Sequence, residues 1–417
     1  MKIVVLCLIV ALTVWEMYMN RLDYRSAGNP VPLNVLDVYD RKTYKKWQAY
    51  HREHVRLSMI HTFVSSSVLF FLIAFNIFAG IAPGEGFYWP MMQVVFFDAI
   101  VEGFIGVIFS FLRMQIEEKY GFNKSTMETF ATDQLKEFAI SLVLSIGILS
   151  AFIGLHRAMG DWILVLFAGL MLLLVLLVTF LYPVLSRVFN KFTPLEEGEL
   201  RQKLTALLTS HGYRVRDIMV MDASRRTSKS NAYFTGFGKM KTIVLYDNLM
   251  ETLTTDEICA VFAHEMGHGL HKDTLKNQIM NLGNVCALAL IMWLHVHFAG
   301  SCVPFGFAGL NYGFAYLLTG TYMSVFSIGY GFVTSKFEKK AEFRADAQAV
   351  DEGYADALIS GLKKISREDF ANLSPDPLVV RLTYSHPTLS QRITAIDQRK
   401  KEKARGRAEA ASEQKEA

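Results

Sequence analysis

Seven long apolar stretches constrain this chain more than any other feature, because a run of roughly 17 to 25 apolar residues is the length of one bilayer-crossing helix. They lie at 3–19, 59–78, 91–112, 138–155, 162–184, 280–298 and 307–332. Composition agrees. With 52% hydrophobic and only 20% charged residues, the 417-residue chain is too apolar for an ordinary soluble enzyme. An α-helical integral membrane protein with seven transmembrane helices is expected, its partner the lipid bilayer. The first stretch reads as a span and not as a cleaved leader. Its start carries one lysine, and the nearest small-residue stretch, Ser26-Ala27-Gly28, lies beyond Arg21, Asp23 and Arg25.

Loop charge sets the orientation, since cytoplasmic loops carry the excess of Lys and Arg. The first loop holds Arg21, Arg25, Arg41, Lys42, Lys45, Lys46, Arg52 and Arg56, whereas 82–90 holds no basic residue. The third loop is basic again, with Arg113, Lys119, Lys124 and Lys136, and 299–306 is uncharged. The C-terminus and the large polar stretches are therefore expected on the cytoplasmic side. A net charge of +4 gives no reason to expect nucleic acid, and no glycine-rich loop points to a nucleotide. Cys7, Cys259, Cys286 and Cys302 lack metal-type spacing and indicate neither a disulfide framework nor a second zinc site.

Between the fifth and sixth stretches stands His264-Glu265-Met266-Gly267-His268. Thr254 and Glu257 form a capping-box pattern ahead of Ile258, Val261 and Phe262, so the segment is expected to be helical. Residues four apart share a helix face, which lets His264 and His268 reach one zinc ion with Glu265 beside them as a base. Further on, 337–346 reads as a helix carrying Glu338, Glu342 and Asp346 at four-residue spacing, hence on one face. A catalytic zinc takes three protein ligands and keeps a fourth position for water. Spacing alone does not choose the third ligand among these acids.

Glu342 with Asp346 four residues on resembles the Glu-x-x-x-Asp element of thermolysin-like zinc peptidases. Three further stretches narrow the likeness: Ser230-Asn231-Ala232-Tyr233-Phe234-Thr235-Gly236, Ala341-Glu342-Phe343-Arg344-Ala345-Asp346, and Ser385-His386-Pro387 with Arg392-Ile393. Together they resemble the integral-membrane CAAX prenyl proteases of the a-factor-converting type. The resemblance implies one Zn²⁺ per chain on His264, His268 and Glu342, with Asp346 orienting a ligand histidine. It implies that His386 donates to the oxyanion, that Asn231, Ala232 and Arg392 contact substrate, and that the helices enclose a water-filled chamber. It also implies the substrate, a protein or peptide whose C-terminal Cys-a-a-X cysteine is prenylated and which loses its last three residues. A eukaryotic member is expected in the endoplasmic reticulum with its active site facing the cytoplasm.

The residues themselves imply metal-assisted amide hydrolysis. Zinc acidifies a bound water and polarises the scissile carbonyl, while Glu265 is the general base that moves the water's proton to the leaving amine. The organisation expected is an N-terminal membrane region at 1–184, a first protease part at 185–279, two spans at 280–332, a second protease part at 333–399 and a charged tail at 400–417. In the first part, 193–212 reads as a helix, 218–221 as a strand, and 232–235 with 242–245 as a hairpin whose edge suits an extended peptide. Asp98 and Glu102, four apart in the third span, are expected to face an interior. His295 and His297 point to different helix faces and form no metal site. Two other functions compete. One is a membrane quality-control zinc protease of the heat-shock type, which the count of seven spans disfavours. The other is a transporter or scaffold with structural zinc, in which Glu265 would have no work.

Overall fold

The computed structural model describes the chain except residues 85, 124, 226–231, 236–239 and 417. Its side chains are described except, in addition, those at 178–189, 225, 234–235, 240–241, 299, 411 and 413–416. The chain divides into two compact units, one of Met1–Ala27, Gln48–Leu176 and Met280–Gly331, the other of Gly28–Trp47, Leu177–Ile279 and Phe332–Ala417.

The first unit is built from long apolar helices: α1 (Lys2–Ser26), α2 (Arg41–Ala74), the short α3 (Ile77–Ile81), α4 (Tyr88–Tyr120), α5 (Met127–Met159), α6 (Ile163–Phe189), and parts of two later ones. Their shared core includes Val5, Ile9, Ile73, Phe78, Met91, Phe152, Phe305 and Phe314. Local chemistry sets the ends. Asn76, in the left-handed region at φ 57°, separates α2 from α3, and Lys2 Nζ donates to Ala74 O at 2.5 Å and to Asn76 Oδ1 at 2.8 Å. Gly121 at φ 83° closes α4, and the Thr126 hydroxyl caps α5 by accepting from Thr129 N–H. Asp98 lines a cavity of about 850 Å³ bordered by α4 and α5, together with Ser110, Ser141 and Ser145.

Among the described residues, five helical stretches are long and apolar enough to cross a membrane: Lys2–Ser26, Arg41–Ala74, Tyr88–Tyr120, Met127–Leu177 and Asp273–His297. The protein is thus multi-pass, and the difference from the expected seven has two sources. The stretch at 138–155 and the described part of 162–184 fall within one 51-residue run, Met127–Leu177, in which Gly160 at φ 55° and a 3-10 turn separate α5 from α6. The stretch at 307–332 lies mostly in α11 (Tyr312–Asp351), where Gly313, Thr319, Gly320, Thr321 and Ser324 dilute the apolar residues.

The second unit carries a four-stranded sheet in the order β1-β2-β4-β3, from β1 (Phe192–Pro194), β2 (Arg214–Met221), β3 (Ala232–Thr235) and β4 (Met240–Tyr246). β2 and β4 run parallel, with Ile218 opposite Ile243, and β3 pairs antiparallel with β4, with Ala232 opposite Leu245. The helix expected over 193–212 is corrected: β1 and α7 (Glu199–Ser210) occupy it. Pro194 favours extended chain, and Leu195 N–H bonds Ile218 O of the neighbouring strand before Glu199 starts the helix. The later helices of this unit are α8 (Asp247–Thr252), α9 (Thr255–Leu270), α12 (Ala355–Glu368), α13 (Pro377–Thr383) and α14 (Leu389–Glu416), with the first residues of α10 (Asp273–His297) and the part of α11 from Phe332 onward. Leu204, Leu208, Ile243, Leu245, Phe262, Ala263, Met266 and Leu358 form their common core. The charged tail continues α14 as helix, tied at its start by Arg399 to Asp351 at 2.9 Å and Lys400 to Asp356 at 2.5 Å.

Candidate metal centre

α9 starts as the sequence pattern predicts. Thr254 N–H donates to Glu257 Oε2 at 2.8 Å and Glu257 N–H to Thr254 Oγ1 at 3.4 Å, and Lys364 and Ser360 hold the same carboxylate. Ile258, Phe262, Ala263 and Met266 then bury one side of the helix in the second unit's core. That anchoring turns His264 and His268 together. Their Nε2 atoms lie 3.2 Å apart with the rings nearly perpendicular at 89°. Of Glu338, Glu342 and Asp346 on α11, Glu342 comes to both Nε2 atoms, with Oε1 at 3.2 Å from His268 Nε2 and Oε2 at 3.6 Å from His264 Nε2.

Among the described residues, His264, His268 and Glu342 are the one group of His, Cys, Asp or Glu able to hold a metal ion, their ligand atoms all within 4.8 Å of one another. The surroundings fit a cation. Each imidazole commits Nδ1 to a carboxylate, His264 to Asp346 at 2.9 Å and His268 to Asp273 at 3.1 Å, which directs both Nε2 lone pairs inward. Glu342 Oε2 is buried and makes no hydrogen bond among the described residues. Arg392 Nη1 approaches this oxygen only to 3.6 Å, outside hydrogen-bond reach, so the acceptor is costly unless a closer cation meets it.

The carboxylates are themselves held. Asp346 is 1% exposed and takes Arg392 on both oxygens, from Nη2 at 2.6 Å and Nε at 2.9 Å. Asp273 takes Arg344 at 2.6 Å and Lys276 at 3.1 Å besides His268. Burial alone would raise the Asp346 carboxyl, but Arg392 and the His264 bond hold it well below the usual range. Burial likewise opposes ionised Glu342, yet the His268 bond and the charges of His264, Arg392 and His386 bring it down to about 2. His268 responds inversely. Burial disfavours its cation, but Glu342, Glu265 and Asp273 raise it to about 9.

Glu265 is half-buried beside the cluster, near enough for its charge to act on His268. His386 lies at the mouth, 61% exposed, with Nε2 at 3.3 Å from Glu342 Oε1 and Nδ1 at 2.8 Å from Ser385 Oγ. Arg392 is held by Asp346 and reaches 3.6 Å from Glu342 Oε2. Ala232 is buried at 2% with its methyl in the core, and Asn231 lies outside the described residues. Glu338 is not in the cluster. His295 packs on Tyr322 while His297 bonds Asp161 at 3.1 Å, so the two do diverge. Sequence reading missed Asp273 and Arg344. The one available signal for Asp273 is its position five residues past His268, at the start of the next helix.

Residues 194–400 match the model of peptidase family M48, and residues 20–191 match one described as CAAX prenyl protease N-terminal, five membrane helices. Over 93% of its length the chain is 30% identical to the CAAX prenyl protease 1 homolog of Arabidopsis thaliana, covering 95% of that protein. The chain belongs to peptidase family M48, in its CAAX prenyl protease branch. The probable CAAX prenyl protease 1 of Schizosaccharomyces pombe is 28% identical over 95% of this chain and 88% of its own. The crystal structure of S. mikatae Ste24p superposes with a TM-score of 0.86 at 25% identity, covering 95% of this chain and 99% of that one. Family M48 membership and the His-His-Glu cluster agree on a metalloprotease.

Proposed function

We propose that this chain is a zinc endopeptidase that removes the last three residues from proteins ending in a prenylated Cys-a-a-X sequence. The observation that carries the reading is the His264–His268–Glu342 cluster, each imidazole backed by a carboxylate, in a chain resembling CAAX prenyl proteases almost end to end. Two imidazoles, one carboxylate and a fourth side open to water are the donor set of a catalytic zinc. Bound there, the ion supplies Lewis acidity towards the scissile carbonyl and a more acidic water.

The chain's own residues do the rest. Glu265 takes the proton of the attacking water and returns it to the leaving amine, a task for a carboxylate beside the ligands but not among them. His386, exposed at the mouth, donates to the oxygen on which negative charge develops. Asp346 and Arg392 keep His264 oriented. For substrate contact we assign the Asn231–Ala232 segment, to which Ala232, its methyl buried, contributes main chain only.

We further infer seven spans, counting α5 and α6 as two and the first half of α11 as one. The basic first and third loops support cytoplasmic exposure of the metal centre, and the substrate class supports the endoplasmic reticulum membrane. A prenyl chain partitions into the bilayer, so a membrane-embedded enzyme meets its substrate in two dimensions. The test is to incubate the purified protein in detergent with a farnesylated Cys-a-a-X peptide and its unprenylated twin, with and without a zinc chelator, and to weigh the fragments. Chelator-sensitive release of the last three residues from the prenylated peptide alone is expected. Scattered cleavage of both peptides would point to a quality-control protease, and no cleavage to structural zinc.

A further inference from the structure

The stretch Gly28–Trp47, which links the first two membrane helices and includes the start of α2, packs as part of the second unit and not the first. Its prolines, Pro30 and Pro32, keep it extended until a 3-10 turn at Leu33–Val35. It buries Val35, Val38, Tyr39 and Trp47. Polar bonds pin it along its length. Asn29 Nδ2 donates to Ser374 O at 2.9 Å, Lys363 Nζ meets both Asp37 oxygens at 2.7 and 2.8 Å, and Tyr39 Oη donates to Ser366 O and Ala371 O, each at 3.0 Å. A segment held by this many partners is a structural strap of the protease unit.

Its contact with α14 bears on the metal centre. Asn34 Nδ2 donates to Ser390 O at 3.0 Å, and Ser390 Oγ donates back to Asn34 Oδ1 at 2.8 Å. A second donation from Asn34 Nδ2 reaches Thr394 Oγ1 at 3.3 Å. The same helix start is closed by a reciprocal pair, Gln391 N–H to Thr388 Oγ1 at 3.2 Å and Thr388 N–H to Gln391 Oε1 at 3.0 Å. Arg392 follows at once, with its two bonds to Asp346, and Asp346 holds His264.

We propose that Asn34 is a positioning residue for the metal centre: by clasping Ser390 it fixes the first turn of α14 and so keeps the Arg392 guanidinium on Asp346. The proposal rests on the reading of His264, His268 and Glu342 as the zinc site. Orienting partners one step removed from a ligand are worth about 10- to 100-fold in metal affinity, and Asn34, which reaches His264 only through α14, Arg392 and Asp346, should cost the lower figure, about tenfold.

The test uses the full chain in detergent as wild type, Asn34→Ala, Arg392→Ala and the double variant. Zinc affinity is read by competition with a fluorescent chelator, alongside Tm, kcat and KM on the farnesylated peptide. Asn34→Ala is expected to weaken zinc binding about tenfold and to lower kcat with little change in KM. The double variant should be no weaker than Arg392→Ala, because both act along one path. Losses that multiply in the double variant, or a change in Tm alone, would overturn the proposal. Full affinity in Arg392→Ala would overturn it too, whereas a wild type that binds no zinc would instead sink the metal-site reading. Should Asn34→Ala fail to fold, Ser390→Ala removes only the returned hydroxyl bond and is expected to weaken zinc in the same direction by a smaller factor. Unchanged zinc affinity in Ser390→Ala would then count against the clasp.

Discussion

Asp273 Oδ2 lies 3.1 Å from Nδ1 of His268, while Asp273 Oδ1 takes Arg344 at 2.6 Å. The second histidine thus has a carboxylate of its own, from the first turn of α10, just as the first has Asp346 from α11. Asp273 is 3% exposed, so its charge stands only because His268, Arg344 and Lys276 surround it. Replacing it by Asn keeps the shape and removes the charge. Zinc affinity is expected to fall about 10- to 100-fold by chelator competition, and an unchanged affinity would show that His268 needs no orienting partner.

Glu265 is flanked by the ligand pair yet is not one of the clustered ligands. Glu265→Gln should therefore keep a full zinc complement while kcat drops by about 10²- to 10⁴-fold. His264→Ala, by contrast, should lose the zinc itself. Metal content and single-turnover rates on the same samples separate the two, and a Gln variant that turns over normally would remove Glu265 as the base.

The parts of this centre that were legible in the sequence are those that one helix encodes. The Thr254–Glu257 box and the four-residue spacing of His264 and His268 need no distant partner to be read. Glu338, Glu342 and Asp346 were readable as a face, but only packing of α11 against α9 brings Glu342 and Asp346, and not Glu338, to the histidines. Asp273 was invisible because its role depends on where α10 begins. The strap at Gly28–Trp47 was invisible for another reason. Its residues Arg41, Lys42, Lys45 and Lys46 are read by charge counting as a loop on the basic side, and charge counting carries no information on what the loop packs against. Membrane spans were readable where apolar residues dominate and blurred in α11, where glycine and hydroxyl side chains interrupt them.

A pH dependence follows from His268, whose proton the protein holds up to about pH 9 against the cost of burial, through Glu342, Glu265 and Asp273. Zinc must displace that proton, so apparent affinity should rise with pH up to about 9 and weaken by up to about tenfold per unit below it. The stability of the zinc-stripped protein moves the opposite way. A histidine whose folded pKa exceeds its unfolded value of 6.5 contributes fully below that value and loses its contribution as pH climbs through 9. Thermal shift in detergent should show the stripped protein's Tm falling from pH 6.5 to 9, while added zinc recovers progressively more. A Tm of the stripped protein that rises over this window would contradict the assignment.

Gly267, between the two ligands' positions on α9, packs directly against α11. A Cβ added there would stand 2.9 Å from Ala345 Cα and 3.1 Å from Gln348 Cβ. The first of these is backbone, which cannot swing aside as a long side chain would, so relief requires α11 to shift. That shift would carry Glu342 and Asp346, which flank Ala345 on the same helix, away from the histidines. Gly267→Ala raises intrinsic helix propensity by about 1 kcal/mol and would stabilise an unconstrained helix. Here it is expected to weaken zinc binding by at least tenfold, a sub-ångström displacement of one ligand being enough at these coordination distances. Chelator competition on folded protein checks this, with circular dichroism reporting that the helix content is retained. Wild-type zinc affinity in the alanine variant would show that the interface between α9 and α11 yields elsewhere and that the glycine is not what holds the third ligand in place.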